Sequence, residues 1–298
     1  MRRFYLLPFE DDSYRCCQSK RFRIKIMFMG VIGRPIYDSN GLEIHDGKYG
    51  IYHFVHYVRA KKRSCNREVG TIETKPVESV TKEVIRRILI DNVIPSIMQN
   101  WLAFLPMNIQ LQRDNARPHI SVDDMEFKQA ATQNGFNVQL VNQPPQSHDL
   151  NLLDLCLFTD LQSIHNQSFP QNIDELIARV QDAYEFYDTE KIKFAWLELQ
   201  YVITEILKDK GGNNYKNPHH GKAYLQRIGK LSENVEIEQS LLDEAVKYLN
   251  EREVPIFSNV HDFNEWDEVD ADSFIFDIGN IPMQFHFHID ATINDCYT

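Results

Sequence analysis

Residues 107–154 read MNIQLQRDNARPHISVDDMEFKQAATQNGFNVQLVNQPPQSHDLNLLD, and the order of elements in this stretch sets the architecture. Asn108 to Arg113 alternates polar and apolar side chains as a half-buried strand does, and Asp114 stands where the strand gives way to a loop. In an open α/β sheet, the carboxyl end of a strand faces a cleft. A polar helical run of about Val122 to Gln133 comes next, then a second short strand, Phe136 to Val141. Pro144-Pro145 breaks the chain, and Asp149 falls at the start of an expected helix, Leu150 to Gln162. There Leu150, Leu153, Leu157, Leu161 and Ile164 recur at helical intervals. With Ser147 as its cap, Asp149 sits in the first turn, where a negative charge suits the helix dipole. Between Asp114 and Asp149 lie 34 residues.

Outward from this stretch the pattern continues. Arg2 to Leu7 reads as a short strand. Arg21 to Ile32 is a strand whose first half carries Lys20, Arg21, Arg23 and Lys25 on one face, and Gly50 to Val58 is another. Ser79 to Leu105 is an amphipathic helix capped by Thr81, kinked or divided at Pro95 and stopped by Pro106. Strand, helix, strand, helix is the order of a mixed sheet flanked by helices, an α/β architecture. Downstream, Pro170 to Tyr187 and Lys191 to Lys208 are amphipathic. The second carries a stripe of Ile192, Ala195, Trp196, Leu199, Val202, Ile203 and Ile206 that should pack back on the sheet. Glu236 to Leu249 is a last helix. Residues 251–298 mix acid with isolated aromatics and hold no sustained period, so a largely disordered acidic tail is expected, with one short strand near Phe285. This divides the chain into a core over residues 1–168, a helical extension over 169–250 and the tail over 251–298.

The formal charge of −11 argues against a nucleic-acid partner, but it averages two unlike halves. Residues 1–120 hold 20 Lys and Arg against 12 Asp and Glu, while residues 231–298 hold 2 against 16. In the basic half, Arg21, Arg23 and Lys25 on a strand, and Lys61, Lys62 and Arg63 in a loop, are candidates for phosphate contacts or for a merely solvated surface. Cys16, Cys17, Cys65, Cys156 and Cys296 lack metal-ligand spacing, which favours a reducing compartment. No apolar stretch is long enough for a signal peptide or membrane span, so an intracellular soluble protein is expected.

RDNARPH at residues 113–119, QPPQSHDLNLLD at residues 143–154 and the interval between the aspartates together resemble the catalytic core of the mariner family of DNA transposases. In that family a Gln-Asp-Asn-Ala-x-x-His element supplies the second metal-binding carboxylate and a Pro-Pro-x-Ser-Pro-Asp-Leu element the third. The resemblance takes in RFYLLP at residues 3–8, SKRFRIKIMFMGVIGRP at residues 19–35 and the downstream helices, roughly residues 1–230 in all. His148 stands where the family usually has proline. The family's first catalytic aspartate lies on a strand ahead of the segment resembling Arg3 to Pro8, and that strand is expected to be missing because the chain starts too late.

The resemblance implies a ribonuclease-H-like sheet, a nuclear location, DNA as partner, a possible homodimer, and Mg²⁺ or Mn²⁺ as cofactor, with no small-molecule cofactor. Asp114 and Asp149 are then the catalytic and metal-binding pair, and Asn115 and His119 orient a carboxylate or contact phosphate. Two divalent ions held by hard oxygen ligands can activate the attacking oxygen and neutralise the leaving one in phosphodiester cleavage and strand transfer. With two of three carboxylates, metal affinity should be weakened and the chain catalytically inactive. The missing strand is central in the implied fold, between the strands near Arg21 to Ile32 and Asn108 to Arg113, so its loss should leave two unpaired inner edges, with either Arg3 to Leu7 slipping into the gap or a poorly stable domain as the consequence. The rival readings are a non-catalytic nucleic-acid-binding or interaction protein that reuses the core, and a decayed or incomplete gene product.

Overall fold

The computed structural model describes residues 24–64, 67–145, 147–161, 170, 172–212, 214–216, 220–251, 283–287 and 291–293. The strand expected over Arg2 to Leu7 lies outside these residues. β1 (Ile24–Ile26) leads at Met27 into β2 (Phe28–Ile32), all of whose residues are buried. Phe28 and Ile32 enter one apolar core, Met29 and Val31 a second, as the two-residue period of a strand requires when both faces are covered. This is why the sequence here is continuously apolar.

β3 (Ile36–Tyr37) and β4 (Glu43–His45) form a small hairpin whose turn is held by Asp38, the carboxylate accepting from the Asn40 and Leu42 N–H groups. At its base the Gly33 N–H donates to the Gly47 carbonyl at 2.7 Å. A β-carbon on Gly47 (φ 81°) would stand 2.5 Å from the Gly33 oxygen, so the crossing needs glycine. The single strand expected over Gly50 to Val58 is two strands, β5 (Lys48–His53) and β6 (Val55–Arg59). They part at Phe54, whose ring is buried and whose backbone pairs with Met27 and Val77. β6 pairs with β7 (Ile72–Pro76) in a two-stranded sheet of its own.

The long helix expected from Ser79 is shorter at both ends. α1 (Lys82–Ile88) is capped by Thr81, a π-helical turn covers Leu89–Val93, and α2 (Ile94–Asn100) follows. Pro95 has no N–H to give the preceding turn, and the backbone widens just before it, the Ile94 N–H reaching back to Leu89. β8 (Asn108–Arg113), α3 (Met125–Ala131) and β9 (Asn137–Asn142) come in the order read from the sequence. Asp124 caps α3 and is itself held by Arg86 of α1 at 2.7 Å. Past a short turn at His148–Leu150, the next helix opens with a π-helical stretch, Leu153–Leu157. Its cap is Asn151, whose Oδ1 accepts from the Leu153 N–H at 3.2 Å, and not Ser147; the Ser147 carbonyl closes the preceding turn by accepting from Leu150. α4 (Ile173–Glu185), α5 (Thr189–Lys208), α6 (Lys222–Arg227) and α7 (Gln239–Glu251) complete the helices.

The last two strands, β10 (Met283–Phe287) and β11 (Ala291–Ile293), correct two expectations. The main sheet has the order β5-β2-β10-β8-β9, so β10 occupies the position between β2 and β8 that was expected to be empty or filled by Arg3 to Leu7. It runs antiparallel to β2, with Phe285 opposite Val31 and His286 opposite Gly30, and parallel to β8, with Met283 opposite Leu111 and Gln284 opposite Gln112. β11 pairs antiparallel with β1. The short strand expected near Phe285 is thus present as β10, in a central slot that rewards an extended segment with hydrogen bonds on both edges, while β11 belongs to a two-stranded sheet with β1, so neither segment is disordered as the tail was read. The remainder of 252–298 lies outside the described residues.

Each face of this mixed sheet carries a core. On one, Phe28 and Ile32 pack with Leu152, Leu153, Leu157 and Leu161 and with Leu176, Val180, Ile192, Trp196 and Leu199 of α4 and α5. On the other, Met29, Val31, Ile109, Leu111, Val138 and Leu140 pack with α1, α2 and α3. The stripe of α5 thus packs back on the sheet as read. Polar ties fix α4 and α5 to the edge of the sheet. The fully buried Tyr184 hydroxyl donates to the Val31 carbonyl and accepts from the Gly50 N–H, and the Trp196 indole donates to the Gly33 carbonyl. Among the described residues no helix is long and apolar enough to cross a membrane.

Candidate carboxylate site at the ends of β8 and β9

β8 and β9 are parallel and in register from Asn108 opposite Asn137 to Arg113 opposite Asn142. Both segments that follow therefore leave the sheet at the same edge. Asp114 is the first residue past β8, and Asp149 lies in the turn that follows the Pro144-Pro145 break after β9.

The two segments are stitched together by amides. The Gln143 N–H donates to the Arg113 carbonyl at 2.7 Å, and the Asn115 side-chain amide donates to the Gln143 carbonyl at 2.7 Å. The Gln143 side-chain amide donates onward to the Ser147 carbonyl, and Gln112 reaches the Leu150 carbonyl at 3.3 Å. Among the described residues Gln143 is one of the few buried polar ones, so its amide is spent on geometry and not on solvent. These bonds set the Asp149 turn against the Asp114 loop.

Asp114 meets His119, whose Nε2 lies in hydrogen-bond contact with the Asp114 Oδ1. The loop between them is closed by the His119 N–H donating to the Ala116 carbonyl, which places the imidazole over the carboxylate five residues back. His119 is buried and Asp114 half-buried, so the ring orients the carboxylate from the protein side while leaving it an approach from solvent. Arg113 stands behind, 3% exposed, its Nε donating to the Asn142 side-chain oxygen at 2.9 Å. Burial pulls its guanidinium pKa down to about 10, against the opposing pull of the Asp114 charge. A guanidinium so close offsets part of the negative charge that would attract a cation.

Asp154 is tied at 2.8 Å by the Asn151 side-chain amide at the start of its helix. No family model, curated protein or solved structure matches this chain. Of the supporting residues expected from the sequence, His119 meets Asp114, whereas Asn115 bonds the Gln143 carbonyl and so joins the bracket to the Asp149 turn. Gln143 itself was missed. The signal for it was a lone amide between a strand end and a Pro-Pro break, where a loop has few backbone N–H groups of its own to close on.

The residues offer hard oxygen donors suited to a divalent cation such as Mg²⁺ or Mn²⁺, with one oxygen of Asp114 engaged by His119. Among the described residues no group of three or more His, Cys, Asp or Glu side chains comes together to hold a metal ion. Two carboxylates fit such an ion as part of a donor set.

The basic candidates fall elsewhere. Arg21 and Arg23 lie outside the described residues, and Lys25 is exposed on β1. Lys61, Lys62 and Arg63 are exposed in the loop joining β6 to β7, a different sheet from the one that carries the aspartates. Arg63 pairs with Glu68 at 3.3 Å across that loop, and Arg67 pairs with Glu73 of β7. Tyr57 and Ile72, both more than 60% exposed, lie on the same hairpin.

Proposed function

We propose that this chain is a transposase-derived, DNA-associated protein of the mariner type, built on a ribonuclease-H-like core in which Asp114 and Asp149 hold a divalent cation without carrying out efficient DNA cleavage. The observation that carries the reading is the arrangement of two motif aspartates, with 34 residues between them, at the carboxyl edge of two adjacent parallel strands. The sheet order supports it, with a strand antiparallel to β2 and parallel to β8 in the central place. Supplied with a divalent ion, such a site polarises a phosphodiester oxygen; in-line strand cleavage gains most from two ions sharing a bridging carboxylate. The donor set described above falls short of that, which supports a binding site over an efficient nuclease.

DNA as partner is supported by the β6–β7 hairpin. Its exposed Lys61 and Lys62 offer phosphate contacts, and Tyr57 and Ile72 offer apolar surface beside them. The test is incubation of the full chain with supercoiled plasmid in Mg²⁺ or Mn²⁺, beside Asp114→Ala. Salt-dependent retention of DNA without nicking above the Asp114→Ala level is expected. Robust nicking abolished by that substitution would overturn the claim of inactivity, and absence of DNA binding even at low salt would overturn the DNA-associated reading.

A further inference from the structure

The register of the β6–β7 hairpin gathers its exposed apolar side chains on one face. Tyr57 stands opposite Thr74 and Arg59 opposite Ile72, and the two-residue period of a strand puts these four side chains on the same side of the ribbon. The base of the ribbon is fixed. The Thr74 hydroxyl donates to the Asp174 carboxylate in the first turn of α4 at 2.5 Å, and the Val77 N–H donates to the Phe54 carbonyl. Toward the tip nothing covers the face, and Tyr57 is 65% and Ile72 63% exposed. The charge there is uncompensated as well. Glu68 is engaged by Arg63, and Glu73 by Arg67 and Lys75, whereas the exposed Arg59, Lys61 and Lys62 take part in no ion pair among the described residues. A fixed base thus carries a ring, an isoleucine and three free cations.

We propose that this face is a platform for single-stranded DNA, with one unpaired base stacked on Tyr57, its neighbour on Arg59, and phosphates held by Lys61 and Lys62. The proposal rests on the DNA-associated reading of the hairpin and adds to it the strand state of the ligand and the contact that selects it. Tyr57 and Arg59 are two residues apart on one strand, a spacing of roughly 6.6 Å. Bases in a duplex lie about 3.4 Å apart with their faces closed against one another, so a ring standing off a hairpin cannot reach them. Unpaired bases have open faces and a backbone that can spread to the wider spacing. Aromatic rings and guanidinium groups both stack on such bases whatever their identity. A two-stranded ribbon can also enter a major groove, but reading base edges there calls for hydrogen-bonding side chains, and this face presents a ring and an isoleucine. The phosphates run toward the tip, away from Asp174 at the base. The platform lies in a different sheet from Asp114 and Asp149 and holds its ligand without a divalent ion.

The test measures binding of the full chain, in the presence of a chelator, to a fluorescein-labelled oligothymidylate and to a blunt duplex of the same length by fluorescence anisotropy over a salt series. Tyr57→Ala, Tyr57→Phe and the double variant Lys61→Ala, Lys62→Ala are run beside the wild type, each checked for fold by circular dichroism. The oligothymidylate should bind more tightly than the duplex. Tyr57→Ala should weaken it roughly 5- to 150-fold, the worth of one stacked base, while Tyr57→Phe, which keeps the ring, should match the wild type. The lysine variant should lower the slope of log affinity against log salt by about 1.4, two phosphate contacts at roughly 0.7 each on a single strand, and Tyr57→Ala should leave that slope unchanged. Duplex bound as tightly as the single strand, or single-strand binding unchanged in Tyr57→Ala, would overturn the proposal and leave the DNA-associated reading standing. So would a dimer in sedimentation velocity that Tyr57→Ala disperses, since the face would then belong to a second copy of the chain. Binding of neither DNA at low salt would overturn both.

Discussion

Ending the chain at Glu251 removes β10 and should cost most of the stability of the fold. β10 pairs with β2 at four positions and with β8 at two. Taking one hydrogen bond per pairing and a net worth of roughly 0.5–1.5 kcal/mol each, the strand contributes on the order of 3–9 kcal/mol. Domains are stable by only about 5–15 kcal/mol in total, so the shortened chain should stand at or past the edge of unfolding. The neighbours make repair difficult, since β2 is buried on both faces and Leu111 of β8 is fully buried, leaving their exposed edges poorly placed to be solvated without opening a core. Urea titration followed by far-ultraviolet circular dichroism and by tryptophan fluorescence should show the midpoint of the shortened chain falling close to zero denaturant. A synthetic peptide of residues 280–296 added in trans should restore part of it. An unchanged midpoint and slope in the shortened chain would refute the reasoning, because the slot between β2 and β8 would then not depend on β10.

Three further outcomes follow from single contacts. Tyr184→Phe leaves the Val31 carbonyl and the Gly50 N–H without their shared hydroxyl in a buried place, and should lower stability by about 1–3 kcal/mol in the same urea assay. The Asp124 carboxyl is held below the ordinary carboxylate range, first by the Arg86 hydrogen bond and also by the Phe127 N–H. Because the folded value is depressed, its contribution is present at neutral pH and lost as pH falls through the ordinary range toward the folded value. Asp124→Asn should therefore narrow the difference from wild type on acidification, and stability profiles between pH 7 and pH 3 check this. Gln143→Ala frees the Ser147 carbonyl and loosens the Asp149 turn. It should weaken Mn²⁺ binding by roughly 10–100-fold, as losses of outer-shell support commonly do, while calorimetry of Asn142→Ala serves as a local control.

Local elements were legible in the sequence where one segment carries its own signal. The Thr81 cap, the apolar stripe of α5 and the β8-α3-β9 order all depend on neighbours within a few turns of chain. Phe54 and Asn151 were not read correctly, since each acts through a tertiary choice, a ring turned into the core and a competition between two candidate caps. The placement of β10 was the largest departure. MQFHF alternates well enough to suggest a short strand near Phe285, but nothing local records that its partners are β2 and β8, whose residues lie more than 170 positions earlier. A gap was anticipated there, and the strand expected near Phe285 was not connected with it. At the candidate site, the strand ends that carry Asp114 and lead to Asp149 were legible from their alternation and the Pro-Pro break, whereas the Gln143 bracket exists only once β8 and β9 are side by side.

If Asp114 and Asp149 converge on one cation, as proposed, a crystal of the full chain grown with MnCl₂ will reveal it through anomalous scattering at the manganese edge. A single strong peak within coordination distance of both carboxylates is the predicted result. A peak bound by only one of them, or none at this edge of the sheet while manganese is seen elsewhere, would contradict the account.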